Sequence, residues 1–388
     1  MPAKEAVGER AVPRRRRDVS LDVLRGWLTL CVCAIHAKLG MGSFFYKYIV
    51  NRAVPVFVFL VGANGVRDSG RSKKDFLTHS LLRMRRLLLP YWFSLALFHI
   101  SGAYRKMAYL AALEKGPWWA VLPCRKAWAH RVYKVFGYAP LFGASWFVTL
   151  AVLLAPFPKL FAGIPSWKRP AENTAEKALL QTNPVLCSAI GMATTALAAK
   201  YINWGHSTMR FLGFNRSAFD IYLFPLLYFG PLVCGSCLGL TDDKELYTYS
   251  SDVALVTSLS ALYATGVFVH TKYAGPFDSF EDTHAMQALL RALDVPLSVL
   301  LYFASRAISM TLGEDSAVVT AVSIVGKRSW NIYLGHIVLL NMFFGKRMMK
   351  IKPLYLMGIY TCGGLCFDSV YTRIILQGTK LLRHHKFV

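Results

Sequence analysis

The sequence predicts an all-α fold, a polytopic membrane helix bundle of about ten transmembrane helices. Three observations predict it. Hydrophobic residues make up 55% of the 388 and charged residues only 17%, against roughly a quarter charged in soluble chains. The mean hydropathy is +0.38. Apolar runs near the roughly 18-residue bilayer span recur along the chain, and basic clusters flank them, as in "RRRR" at 14–17, "RSKK" at 71–74 and "RMRR" at 83–86.

Along the chain, residues 1–17 are polar and basic and are expected to form a disordered tail. Apolar segments follow near 20–39, 49–66, 86–102, 144–164, 183–202, 217–239, 253–272, 285–304, 329–345 and 353–376, with 310–326 as a short or partial extra helix. The interleaved aromatic and basic residues of 103–140 suit short helices lying along the membrane interface, or a lid over a substrate. Residues 18–380 read as one integral membrane domain, and 381–388 as a short basic tail. Asp22 and Arg25 interrupt the first apolar run, so no cleavable signal peptide is expected.

The dense basic character of the N-terminus and of 67–86 places both in the cytoplasm by the positive-inside rule. Ten spans then return the C-terminus to the same side, making an integral, multi-pass protein. The formal charge of +24 comes from these short clusters and not from a nucleic-acid recognition motif, so lipid is the expected partner and nucleic acid is not. The eight cysteines do not make a secreted disulfide framework. "CGSC" at 234–237 has redox-like spacing, but it ends an apolar run and reads as small residues packing between helices. No metal site is expected, because the histidines lack helical ligand spacing with carboxylate or cysteine partners.

The first apolar segment, "LDVLRGWLTLCVCAIHAKLG" at 21–40, carries Asp22, Arg25 and His36. With about 100° per residue and Arg25 at zero, His36 falls at about 20°, Thr29 at about 40°, Asp22 at about 60° and Cys33 at about 80°. All the polar side chains from 21 to 36 therefore share one face. Exposing each charge to lipid costs roughly 2.5–3.5 kcal/mol, so this face should line an internal, wet site. Asp22 lies one turn from Arg25 and can pair with it. Arg25 and His36 are about 16 Å apart along the axis and cannot touch. The residues alone leave His36 open between a cavity group and a histidine hydrogen-bonded to a neighbouring helix. They also allow a permeation path, although no inverted repeat accompanies the stripe.

Five stretches in order resemble the acyltransferase 3 family, integral membrane enzymes that O-acylate sugars and envelope polymers. Arg25 and His36, with ten residues between them, match its first-helix signature. "VPVFVFLVGANG" at 54–65, "LLRMRRLLLPYW" at 81–92, "SWFVTLAVL" at 145–153 and "GKRSWNIYLGHIVLL" at 326–340 are similar to its later segments. Residues 165–310 hold no such stretch. Val61-Gly62 stands where the family has Ser-Gly, an ending similar to related membrane N-acetyltransferases acting on glucosaminides. This leaves O- versus N-acylation open.

The resemblance implies transfer of an acyl group, acetyl in the simplest case, from acyl-CoA to a hydroxyl of a glycan or related acceptor. A catalytically inactive relative of the same fold would carry the same stretches. His36 is implied as general base or acyl carrier, a role that its pKa range suits, and Arg25 as its catalytic companion near the donor side. Arg83 and Arg86 match the family's arginine pair and are implied to bind donor phosphate; as topology signals they would instead contact lipid phosphate. Arg85 points to another side. His336 matches the late motif and is implied to orient a substrate or His36, or else is a hydrogen-bonded core histidine. Arg291 and Asp294 read as a structural ion pair, Asp220 as a cap of the sixth helix, and the sequon at Asn215 as chance.

Overall fold

The computed structural model describes residues 18–40, 42–71, 75–100, 146–158, 160, 184–211, 227–239, 252–274, 284–342 and 351–384. Regular structure among them is wholly helical. The expectations for residues 1–17, 103–140, Asn215 and Asp220 lie outside the described residues.

Helix α1 (Val19–His36) starts where the Asp18 side chain accepts a hydrogen bond from the Ser20 N–H at 3.1 Å, satisfying one of the free amides of the first turn. It ends before a turn in which Lys38 and Gly40 take positive φ. The short α2 (Phe44–Tyr48) is capped by Ser43 and passes through a 3-10 turn (Val50–Arg52) into α3 (Ala53–Arg71). Asp75 caps α4 (Phe76–Ile100) through the Thr78 N–H. The remaining helices are α5 (Trp146–Leu154), α6 (Pro184–Phe211), α7 (Phe229–Gly239), α8 (Val253–Ala274), α9 (His284–Leu312), α10 (Ala317–Lys327), α11 (Ser329–Met342) and α12 (Pro353–His384).

Four of these stretches are long and apolar enough to cross a membrane: Val19–His36, Phe44–Val66, Val253–Tyr273 and Leu289–Leu312. Pro184–Ala199, Phe229–Gly239, Ala317–Lys327 and Ser329–Leu340 are apolar but shorter. Helix α4 starts ten residues before the segment expected from hydropathy, at 76 instead of 86. The basic cluster at 83–86 is consequently inside the helix and not at its entry. Large side chains such as Val253, Phe268, Tyr273, Leu354 and Tyr355 face outward, as on a surface that lipid can solvate.

Side-chain contacts fix the helix directions. Phe57 meets Phe147 and Gly65 meets Pro158, so α3 and α5 are parallel. Gly235 lies against Phe59 and Gly239 against Ala63, so α7 runs the same way. Helix α9 does too, with Arg52 on Asp294 and Phe59 on Tyr302. Helix α6 opposes α7, since Gly191 packs on Cys234 and Thr195 on Gly230. Helix α12 opposes α11, since Asn331 bonds Asp368 and His336 meets Tyr360.

Between apolar helices in lipid there is little hydrophobic gain on association, so close backbone approach and polar contacts do the work. "CGSC" is of this kind: Cys187, Cys234 and Cys237 are buried free thiols in the α6–α7 seam, and Gly235 lets α7 touch the Phe59 carbonyl. The expected Arg291–Asp294 pair is present at 3.6 Å, and Arg52, not anticipated, joins it at 3.6 Å from the same buried carboxylate.

The expected partial helix at 310–326 is α10, and it crosses α1. Helix α9 reaches the start of α1, where Arg306 pairs with Asp18 at 3.4 Å; α10 then passes over α1 between Asp22 and Gly26 and delivers α11. A Cβ on Gly26 would lie 2.0 Å from the Val322 carbonyl oxygen, and one on Gly326 would lie 1.7 Å from that of Asp22. Only glycine permits this backbone contact. Gly326→Ala should therefore destabilise the protein by about 1–3 kcal/mol, the usual scale of overpacking. The same change at Gly358, which has nothing within 4 Å, should be neutral or stabilising by up to about 1 kcal/mol. Thermal unfolding of both variants in detergent checks this, and equal midpoints would contradict the crossing.

Candidate active site

On α1, Arg25, Thr29 and Val32 follow one another at helical spacing and face a cavity of about 630 Å³. Asp22, only 1% exposed, holds Arg25 through a 3.2 Å contact. This is the pairing expected from the sequence, and it orients the guanidinium while offsetting part of its desolvation. The Thr29 hydroxyl donates to the Arg25 carbonyl at 2.7 Å, so its polarity is absorbed within the helix.

Helix α3 contributes Val54, Phe57, Leu60, Val61 and Asn64 to the opposite wall. Asn64 donates its amide to the Leu60 carbonyl at 2.9 Å. Helix α4 supplies His79, Arg83 and Arg86, successive turns of one face, together with Leu82 and Leu87. The Arg83 guanidinium donates to the Val61 carbonyl at 3.0 Å. Val61 thus meets the cavity as an apolar side chain and fastens α4 through its backbone, which needs no hydroxyl. Arg85 is exposed and does not border the cavity.

Pro90 lies inside α4. Lacking an N–H, it leaves the Arg86 carbonyl without its intrahelical donor and loosens the adjoining turn. Next to that break, the Trp330 indole N–H donates to the Leu87 carbonyl at 3.1 Å. Trp330 stacks on Tyr333 at 5.7 Å, and Phe147 of α5 meets Tyr333 edge-on at 5.2 Å. These aromatic side chains tie α4, α5 and α11 into one wall.

His336 closes the cavity on α11 and is wholly buried. Tyr333 and Tyr360 hold its ring edge-on, at 5.3 and 5.9 Å between centroids. Neither imidazole nitrogen makes a hydrogen bond of normal geometry among the described residues, although the Ile332 and Tyr333 carbonyls lie within electrostatic reach. His36 stacks beside His336 with centroids 5.0 Å apart and a 37° tilt. His36 itself does not border the cavity, in contrast to the expectation that the whole polar face of α1 would line it. Cys33 also turns away, buried against Tyr360 of α12.

Four of the five residues singled out from the sequence, Arg25, Arg83, Arg86 and His336, therefore share one cavity, and the fifth, His36, abuts it through His336. Sequence reasoning missed His79 and Asn64. His79 lies one turn ahead of Arg83, and Asn64 one turn beyond Val61, so a helical wheel of each segment would have found them. It also missed the Trp330 anchor, for which only the tertiary structure carries a signal. Among the described lining residues there is no carboxylate, and three are arginines. Such a cavity suits an anionic ligand, with guanidinium groups that can grip phosphate oxygens in pairs. No three His, Cys, Asp or Glu side chains gather as metal ligands would among the described residues.

No family model, curated protein or solved structure matches this chain. The resemblance to acyltransferases rests on the five stretches themselves.

Cysteine substitution checks the cavity. Val61→Cys should react with a small water-soluble maleimide on the order of tenfold faster than Val58→Cys, because an apolar burial site suppresses the thiolate and Val58 is 1% exposed within the core. Equal rates would mean that water does not reach the Val61 face.

Proposed function

We propose that this protein is a membrane acyltransferase that moves an acyl group, acetyl in the simplest case, from acyl-CoA to a hydroxyl of a glycan or related acceptor. One observation carries the reading. All five stretches that resemble the acyltransferase 3 family, far apart in sequence, supply walls of the same cavity, and among its described lining residues only His79 comes from outside them. Residues 165–310, where the resemblance has no anchor, contribute none of that lining.

In this proposal the chain crosses the bilayer ten times, with α10 as a short crossing helix in addition. The parallel set of α3, α5, α7 and α9, with α6 opposed to α7 and α12 to α11, supports such an alternation. Both termini then lie on the cytoplasmic side, membrane lipid surrounds the bundle, and no metal or nucleic acid takes part.

The donor's phosphates bind Arg83 and Arg86, and Arg25, oriented by Asp22, adds a third cation. The thioester end extends toward His336 and His36. The acceptor oxygen attacks the thioester carbonyl while an imidazole takes its proton. The tetrahedral intermediate collapses, the carbon–sulfur bond breaks, and the proton passes to the departing sulfur, giving the ester and free CoA thiol. Fixing donor and acceptor together supplies much of the rate gain, and the general base contributes roughly 10²–10⁴-fold.

Purified protein in nanodiscs, supplied with radiolabelled acetyl-CoA and a panel of hydroxyl and amino sugars, tests this. Label should move to an acceptor, with His36→Ala slower by roughly 10²–10⁴-fold and Arg25→Ala also impaired. A wild-type protein that transfers no label to any acceptor would overturn the activity. A His36→Ala protein as fast as wild type would remove that residue from the mechanism. The panel also separates O- from N-acylation.

A further inference from the structure

We infer that His36 and His336 act as one proton-sharing unit in which His336, and not His36, presents its ring to the cavity. The inference rests on the acyl-transfer reading for the chemistry it serves, while the coupling between the rings stands on geometry alone.

Three observations carry it. His336 lines the cavity and His36 does not. The two rings lie 5.0 Å apart between centroids, inside the packed α1–α11 contact, so one water molecule or a small ring rotation bridges their nitrogens. Among the described residues, the ring of His336 is held by the edges of Tyr333 and Tyr360, with the Ile332 and Tyr333 carbonyls in electrostatic reach but no hydrogen bond of normal geometry. A core histidine kept for structure is usually fixed by such bonds. Here its position is set by packing, and its nitrogens stay available for exchange.

The ionisable groups around the pair are few. Helix α1 brings Cys33 and, farther along the cavity, Arg25; α12 brings Tyr360, which adjoins Cys33. Helix α11 itself brings Tyr333, backed by Tyr91 of α4, and Arg83 and Arg86 lie on the far cavity wall. No carboxylate is among them, so among the described residues neither ring has an anionic orienting partner of the kind found in triads. The second imidazole takes that place.

The proton balance follows. The acceptor hydroxyl gives its proton to one nitrogen of His336, and the proton on the opposite nitrogen passes to His36. His336 is then neutral in its other tautomer, and the positive charge rests one residue away from the reacting carbonyl. On collapse of the intermediate the proton returns by the same route to the CoA sulfur. His36 is on this account a positioning residue that acts through His336.

The test reads the coupling without needing turnover. Protein labelled with ¹⁵N-histidine in nanodiscs is titrated by NMR as wild type, His336→Asn and His36→Asn, each loss identifying its own signals. The His36 midpoint should move by about one pH unit or more on His336→Asn, the scale that defines a coupled pair. Superimposable His36 curves would overturn the inference. Should His336→Asn fail to fold, His36→Asn reads the same coupling from His336. With labelled acetyl-CoA, the single variants and the double variant should lose rate to within a few-fold of one another, as residues acting as a unit do. Losses that multiply would show two independent groups and overturn the unit. If wild type transfers no label, the acyltransferase reading fails, and the titration alone decides the pair.

Discussion

The contact on which the rest of the bundle depends is the crossing of α1 and α10 at Gly26 and Gly326. There the backbones touch, and the carbonyls of Asp22 and Val322 occupy the space that side chains would need. The consequences run in both directions along the chain. On α1 the contact lies beside the Asp22–Arg25 pair, of which Asp22 is buried. On α10 it fixes the point from which α11 departs three residues later, at Ser329, so Trp330, Tyr333 and His336 reach the cavity at set heights. A looser crossing would misplace all three at once.

Within that frame, buried polarity is handled in two different ways. Isolated hydroxyls and amides turn back onto their own helices: Thr29 to Arg25, Asn64 to Leu60, Ser236 to Leu232 and Ser298 to Asp294. They ask nothing of a neighbour and specify nothing. Charges instead join helices. Asp294, 2% exposed, receives Arg52 from the 3-10 turn ahead of α3 and Arg291 from its own helix, and Asp368 ties Arg328 and Asn331 of the α10–α11 corner to α12. Replacing Asp294 strands the buried Arg52 cation, which makes that link a marker of register more than a source of net stability.

Much of the site was legible in the sequence because it is local. A helical wheel of α1 suffices to place Arg25 and Thr29 on one face and to pair Asp22 with Arg25, and the i, i+3 spacing of Arg83 and Arg86 puts both on one side of α4 while excluding Arg85. What the sequence hid is of two kinds. Arg52 and Asp294 are joined between elements far apart in the chain, and no local pattern announces it. The early start of α4 was masked by composition: "FLTHSLLRMRR" has too many polar residues for a hydropathy reading, but its helix is sustained by the Asp75 cap and by cavity-facing residues that need no lipid. Among the described residues four spans are recognisable by length and hydropathy, and shorter apolar helices pack beside them.

The position of His36 shows where local reasoning stops. On the wheel it lies within about 20° of Arg25, and α1 is a regular helix from one to the other, so both do share a face. A face, however, is a property of one helix, whereas a cavity is a property of several. At the level of Arg25, Thr29 and Val32 the facing surface comes from α3 and α4, which stand off and leave space. About one turn beyond Val32, α11 closes against the same stripe and sets His336 beside His36, with Tyr360 of α12 behind. The face continues while the opening ends. A histidine at that position can influence what occupies the cavity only through the ring laid across it, and the pairing of two imidazoles follows from where α11 crosses α1 more than from the spacing of Arg25 and His36.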